Sequence, residues 1–276
     1  MSDEKIRDIK NGDCYKRNKY FQENPEAYGA ILYSDAIELK NPLGAARGSY
    51  KVVQVYYTLC EIEKGQRSKI DRVQLLMVYK EKLLKKYSMK TIMKVLVEDL
   101  LKLEHGVEIK YPMTRKVKCG VSCYSADNLE ASVVGGFSGC FSSRDICRMC
   151  HIQHEDLETQ IHDVHGTLYN LWSVEEYDEI VRKARLDALD VGVDDEVDEG
   201  GDGDEMNQES LFREYNDEDD ESESGGEGLS EGDGDEAAFQ RRGLNSECPL
   251  NILQSFHAVN GFPFDIMHDM LEGKFT

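Results

Sequence analysis

Between residues 187 and 236 the chain carries 23 acidic side chains against one basic, Arg213, and Gly and Ser supply much of the rest. A stretch of that composition has too little apolar surface to offset the conformational entropy of ordering. It is expected to be a disordered acidic insertion, and it divides the foldable sequence into two parts. The formal net charge of −21 is concentrated there, because of 54 acidic and 33 basic side chains only 31 and 32 lie elsewhere. The remainder is nearly neutral, and about 226 residues are enough for one substantial core.

Residues 1–14 are charged and lack an apolar run with a small-residue cleavage site, so no secretory signal is expected. The longest apolar runs, such as 73–79, fall far short of the roughly 18 to 20 residues that a membrane-spanning helix needs. A soluble, intracellular protein with no membrane partner is the expectation. Eight cysteines, at 14, 60, 119, 123, 140, 147, 150 and 248, are spread along a chain of moderate size. That usage suits free thiols or metal ligands better than a disulfide framework.

Residues 30–39 (AILYSDAIEL) end at the breaker series Asn41, Pro42, Gly44 and read as a strand followed by a turn. A second strand is expected over 49–61, where Val52, Val53, Val55, Tyr56 and Tyr57 suit a pleated surface, and a third over 73–79. Ser88 is a candidate N-cap for a helix over 89–105, with Ile92, Leu96, Leu100 and Leu103 three to four residues apart and Gly106 as the stop. A further strand over 117–126 runs into Asp127, and a helix over 128–134 is closed by Gly135 and Gly136. Three strands, a helix, a returning strand and a helix describe a mixed α/β sheet. Another helix is expected over 174–189. In the last segment, Phe256, Val259, Phe262, Phe264, Ile266, Met267, Met270 and Leu271 need a surface to pack on, most simply the first 180 residues.

Two acids stand out. Asp35 interrupts an apolar strand and Asp127 ends another, where a carboxylate is costly to bury unless it is hydrogen-bonded or bound to a metal. Two such acids meeting at a sheet suit a divalent cation, which prefers hard oxygen ligands. The plainer alternative makes Asp35 a solvent-facing strand residue and Asp127 a helix cap. Cys147 and Cys150 form a C-x-x-C whose thiolates can share one Zn²⁺ with two further ligands. Those are sought locally among His151, His154, His162 and His165, or distantly at Asp265 and His268, which are spaced to share a helical face. Two buried free thiols are the alternative. A redox role is less expected, since no helix N-terminus that would depress a thiol pKa is evident. Basic residues cluster at 80–94 and 115–118 and could contact phosphates or simply face solvent.

The stretches LYSDAIELKNPLGAARGSYKVVQVYYTL, YSADNLEASVVGGFSGCFSSRDICRMC and FHAVNGFPFDIMHDMLEG together resemble the catalytic region of CACTA (En/Spm)-type transposases of the DDE group. The resemblance is ordered and covers roughly residues 11–172 and 247–273. It implies an RNase H-like fold with the first catalytic Asp on the first strand and the second just after the fourth, matching Asp35 and Asp127. It also implies Mg²⁺ or Mn²⁺ at these two residues, DNA as the partner, a nuclear location, and metal-dependent DNA cleavage and strand transfer as the ancestral reaction. By the same resemblance a C-x-x-C after the second Asp is met by a later D-x-x-H, which favours Cys147, Cys150, Asp265 and His268 as the structural zinc set. The third carboxylate of such enzymes generally lies on a helix beyond the D-x-x-H. Glu272, four residues after His268, is the only late candidate, so an incomplete and inactive core is expected. The corresponding organisation is a lead-in (1–29), a core with the C-x-x-C (30–186), the acidic insertion (187–236) and a returning segment with the D-x-x-H (237–276). A rival expectation is a non-catalytic zinc-containing module whose acidic segment engages basic nuclear proteins.

Overall fold

The lead-in is described from residue 8 onward. It forms two five-residue helices, α1 (Asp13–Arg17) and α2 (Lys19–Glu23), the second capped by the Asn18 side chain. The Asp8 carboxylate grips both terminal nitrogens of Arg67, at 2.6 and 2.7 Å, and ties the lead-in to the loop at 60–73. The computed structural model describes residues 8–39, 51–110, 112–138, 147–153, 155, 170–191 and 243–263.

β1 (Tyr28–Glu38), β2 (Lys51–Leu59) and β3 (Gln74–Lys80) form an antiparallel meander from the three runs expected as strands. α3 (Met89–His105) follows, with Ser88 Oγ accepting from the Thr91 N–H and Gly106 closing the helix at φ 100°. Its start and stop match the sequence reading, but its buried stripe is rotated. Met89, Met93, Leu96, Val97, Leu100 and Glu104 face inward, while Ile92 and Leu103 are only partly covered.

A hairpin not expected from sequence comes next: β4 (Val107–Ile109) pairs antiparallel with β5 (Arg115–Val117) as a separate two-stranded ribbon. The single strand expected over 117–126 is thereby divided. The chain changes partner at Lys118, and β6 (Cys119–Ser125) turns into the main sheet, parallel to β1. The order is β3-β2-β1-β6, a mixed sheet in a mixed α/β fold. α4 (Asn128–Gly135) is ended by Gly136 in the left-handed conformation, and α5 (Val174–Val191) runs on into the first residues of the acidic stretch. Residues 187–189 were expected both as the end of this helix and as the start of the acidic insertion, and the helix continues to Val191; the rest of that stretch lies outside the described residues. A last turn, α6 (Ala258–Gly261), belongs to the returning segment.

Alternation along the strands sets two faces. Leu32, Val53, Val55, Tyr79 and Tyr124 point into one core with the α3 stripe, Ala131 and Val134 of α4, and Tyr177, Ile180 and Val181 of α5. Leu244, Leu250, Leu253, Phe256, Val259 and Phe262 lie in that same core, while Phe264, Ile266, Met267, Met270 and Leu271 lie outside the described residues. The opposite face leaves Tyr33, Asp35 and Ile37 of β1 and Leu75 and Val78 of β3 exposed.

The inward stripe of α3 ends on an acid. Glu104, 4% exposed, accepts from the Gln254 N–H at 3.0 Å, from the Ser255 N–H at 2.8 Å, and from the Ser255 hydroxyl. Ser255 Oγ in turn accepts from the Val121 N–H at 2.7 Å. One buried carboxylate thus joins α3, β6 and the returning segment. Among the described residues no helix is long and apolar enough to cross a membrane.

Candidate functional site

The parallel ladder of β1 and β6 pairs Tyr33 with Ser125. Two residues further along each strand stand Asp35 and Asp127, and Asp127 retains extended backbone at φ −62° and ψ 168°. Asp35 is thus within β1 while Asp127 stands two residues past the end of β6, at the point where the chain enters α4. Both are exposed, and within β1 the alternation that buries Ser34 turns Asp35 to the outer face. On the other side of Asp35 in the sheet is Gln54, whose Oε1 accepts from the Tyr56 hydroxyl.

Asp127 also does what the plainer reading required. Its Oδ1 accepts from the Glu130 N–H at 2.7 Å and caps α4. The cap orients the carboxylate at the strand end and occupies one of its oxygens. Glu130 itself turns to the core side, where the Tyr79 hydroxyl donates to Oε1 at 2.9 Å. Burial pushes its carboxyl above the usual range, with the Tyr79 bond pulling back and the charge of Asp127 adding to the rise. Among the described residues no group of three or more His, Cys, Asp or Glu side chains is gathered to hold a metal ion.

The cysteine pair sits close by through one buried cation. Arg148, between Cys147 and Cys150, donates to the Phe262 carbonyl at 3.1 Å, the Pro263 carbonyl at 3.1 Å and Asn128 Oδ1 at 3.4 Å. Its guanidinium fixes the C-x-x-C against both the first residue of α4, next to Asp127, and the end of the described returning segment. From the other side, the Trp172 indole donates to the Cys147 carbonyl at 3.2 Å, and the Trp172 and His151 N–H groups bond the Met149 and Asn170 carbonyls. Both cysteines are half-buried free thiols.

The thiol environment departs from the sequence expectation. Cys147 is pulled well below the ordinary thiol range, to about 6, first by the hydrogen bond from Cys150, then by the Met149 and Cys150 N–H groups and the charge of Arg148, against burial. No helix terminus is needed, because neighbouring donors stabilise the thiolate directly. By contrast burial pushes Cys119, Cys123 and Cys248 up to about 12.

Of the second pair of candidate ligands, Asp265 and His268 lie outside the described residues, as do His154, His162 and His165 of the local alternative. His151 is described, but its Nε2 is 3.0 Å from Glu176 and its ring is 4.4 Å from that of Trp172. Arg148 was missed from sequence. It forms bonds to main-chain carbonyls over a hundred residues away, which no local pattern signals; its place inside the C-x-x-C was the only hint. No protein-family model matches the chain, and no curated protein matches it either.

Proposed function

We propose that the chain is an RNase H-like core of DDE-transposase type, in which Asp35 and Asp127 form the divalent-cation pair for phosphodiester chemistry. The observation that carries this reading is the parallel pairing of β1 and β6, in which Tyr33 pairs with Ser125, two residues before Asp35 on one strand and two before Asp127 on the other, although the two acids are 92 residues apart in sequence. The meander, the intervening helix and the parallel returning strand support the same fold.

The residues present suit Mg²⁺ or Mn²⁺. Mg²⁺ characteristically takes one or two carboxylates and keeps several waters, and both acids are open to solvent. Such a bound ion would supply charge stabilisation and an activated nucleophile at phosphorus. The protein's own contribution is positional. The ladder holds Asp35, the α4 cap holds Asp127, and Arg148 anchors the cysteine pair beside them.

For Zn²⁺ the fit rests on Cys147 and Cys150, whose shared hydrogen bonds favour the thiolate that such a metal requires. Such a site needs two further ligands, and Asp265 and His268 are proposed for them on the resemblance alone, both lying outside the described residues.

The test is Mn²⁺ binding followed by electron paramagnetic resonance, together with nicking of supercoiled plasmid. Wild type is expected to bind Mn²⁺ at a site that Asp35→Asn and Asp127→Asn each weaken at least tenfold. Mn²⁺ affinity that is unchanged in both variants, or nicking that survives Asp35→Asn, would overturn the assignment.

A further inference from the structure

We infer that the β4–β5 ribbon is a docking element for duplex nucleic acid. Over residues 107–118 it carries Lys110, Arg115, Lys116 and Lys118 against a single acid, Glu108, in a chain whose formal charge is −21. Any phosphate backbone that approaches this protein must therefore be held by a local basic surface, since the global field repels it.

The ribbon is built to present its charges. Arg115 and Lys116 are exposed, as is Lys110 at the start of the connection. None of these three is in an ion pair among the described residues. Gly106, at φ 100°, makes room for the stem of Lys116, which lies where a Cβ would stand. Arg115 donates to the Tyr28 hydroxyl at 3.3 Å and Lys118 to Asn24 Oδ1 at 2.6 Å, which fix the ribbon to the start of β1 and to the end of α2. Met113, 77% exposed, lies in the connection between the two strands.

Shape selects a duplex over other anions. A two-stranded β-ribbon is one of the elements that the B-form major groove, about 12 Å wide, admits. A ribbon tip with an exposed apolar side chain and flanking cations matches base edges between two phosphate rows. The ribbon's root is level with Tyr28, and Asp35 lies seven residues along the same strand, about 23 Å away. At about 3.4 Å per base pair this is roughly seven base pairs, so one short duplex spans ribbon and carboxylate pair. That last step rests on the proposed role of Asp35 and Asp127; the docking itself does not.

The experiment titrates a fluorescein-labelled 24-base-pair duplex with the full chain over a series of salt concentrations, following anisotropy. Lys110→Ala/Arg115→Ala/Lys116→Ala is expected to weaken binding at least tenfold and to reduce the slope of log affinity against log salt by about two to three, one per lost phosphate contact. The matched control, Lys82→Ala/Lys90→Ala/Lys94→Ala, should leave both nearly unchanged. Circular dichroism and melting of both triples check that the fold survives. Equal losses in the two triples, an unchanged ribbon variant, or tighter binding to a poly-glutamate peptide than to the duplex would overturn the inference. Asp35→Asn/Asp127→Asn separates the two claims: it should retain duplex affinity, so a failed cation site leaves the ribbon result standing and the converse holds too.

Discussion

At the scale of single residues, three acidic or sulfur groups make separable demands. Glu104 holds two main-chain donors of the returning segment, the Ser255 N–H buried and the Gln254 N–H partly so. Glu104→Ala would leave both without an acceptor, and at about 1–3 kcal/mol for each buried unsatisfied group the expected loss is about 3 kcal/mol or more. Urea denaturation should show it as a lowered midpoint, with Glu104→Gln intermediate. Glu130 works in the opposite sense. Its folded pKa is raised above 4.5, so the folded chain keeps this proton to higher pH than the unfolded chain, and stability falls as pH rises through that window. Glu130→Gln removes this contribution, and melting temperatures should decline less between about pH 4.5 and 7 than in wild type. Cys147, with its lowered pKa, should be alkylated by iodoacetamide already near neutral pH, while Cys123 and Cys248 stay unmodified. A peptide-level pH-rate profile by mass spectrometry decides this, and protection of Cys147 by added Zn²⁺ would support its role as a ligand.

At the scale of elements, the helix ends carry testable weight. Ser88→Ala removes the α3 cap and should cost about 1 kcal/mol. Gly136→Ala should cost more. The left-handed φ of 75° alone is worth about 1–2 kcal/mol against a side chain, and the new Cβ would meet the main-chain carbonyl of Ser246, which cannot yield like a flexible side chain. These ends were legible in the sequence because a cap and a stop are local events: Ser88, Gly106, Asp127 and Gly136 each act within one turn. The three strands of the meander were legible for a similar reason, as β-branched and aromatic runs bounded by breakers. The ribbon was not, since three-residue strands bearing Glu108, Arg115 and Lys116 show neither apolar alternation nor a length to detect. The rotation of the α3 stripe was missed because Glu104 sits on the buried face, and an acid there reads as solvent-facing until its partners at 254 and 255 are known. At the site, residue types pointed to Asp35, Asp127, Cys147 and Cys150, but their relation to each other depended on the β1–β6 register and on Arg148, and neither is written in any one window of sequence.

At the scale of the whole molecule, the sheet and its cover come from distant parts of the chain. β1 needs β6 as its parallel neighbour, Glu104 needs donors 150 residues further on, and Leu250, Leu253, Phe256 and Phe262 complete the core. A chain stopped at residue 191 should therefore bind an apolar dye such as ANS that the full chain excludes, because the surface meant for residues 243–263 stays open. The closing contacts of Glu104 also set an order of events during synthesis. At about 5–20 residues per second, on the order of ten seconds separate the emergence of β6 from that of the segment that seals the core. Throughout that interval the nascent protein is a sheet with an uncovered greasy side, a client for chaperones, and a messenger cut short before the seal yields a product that proteases can recognise by that same exposed side.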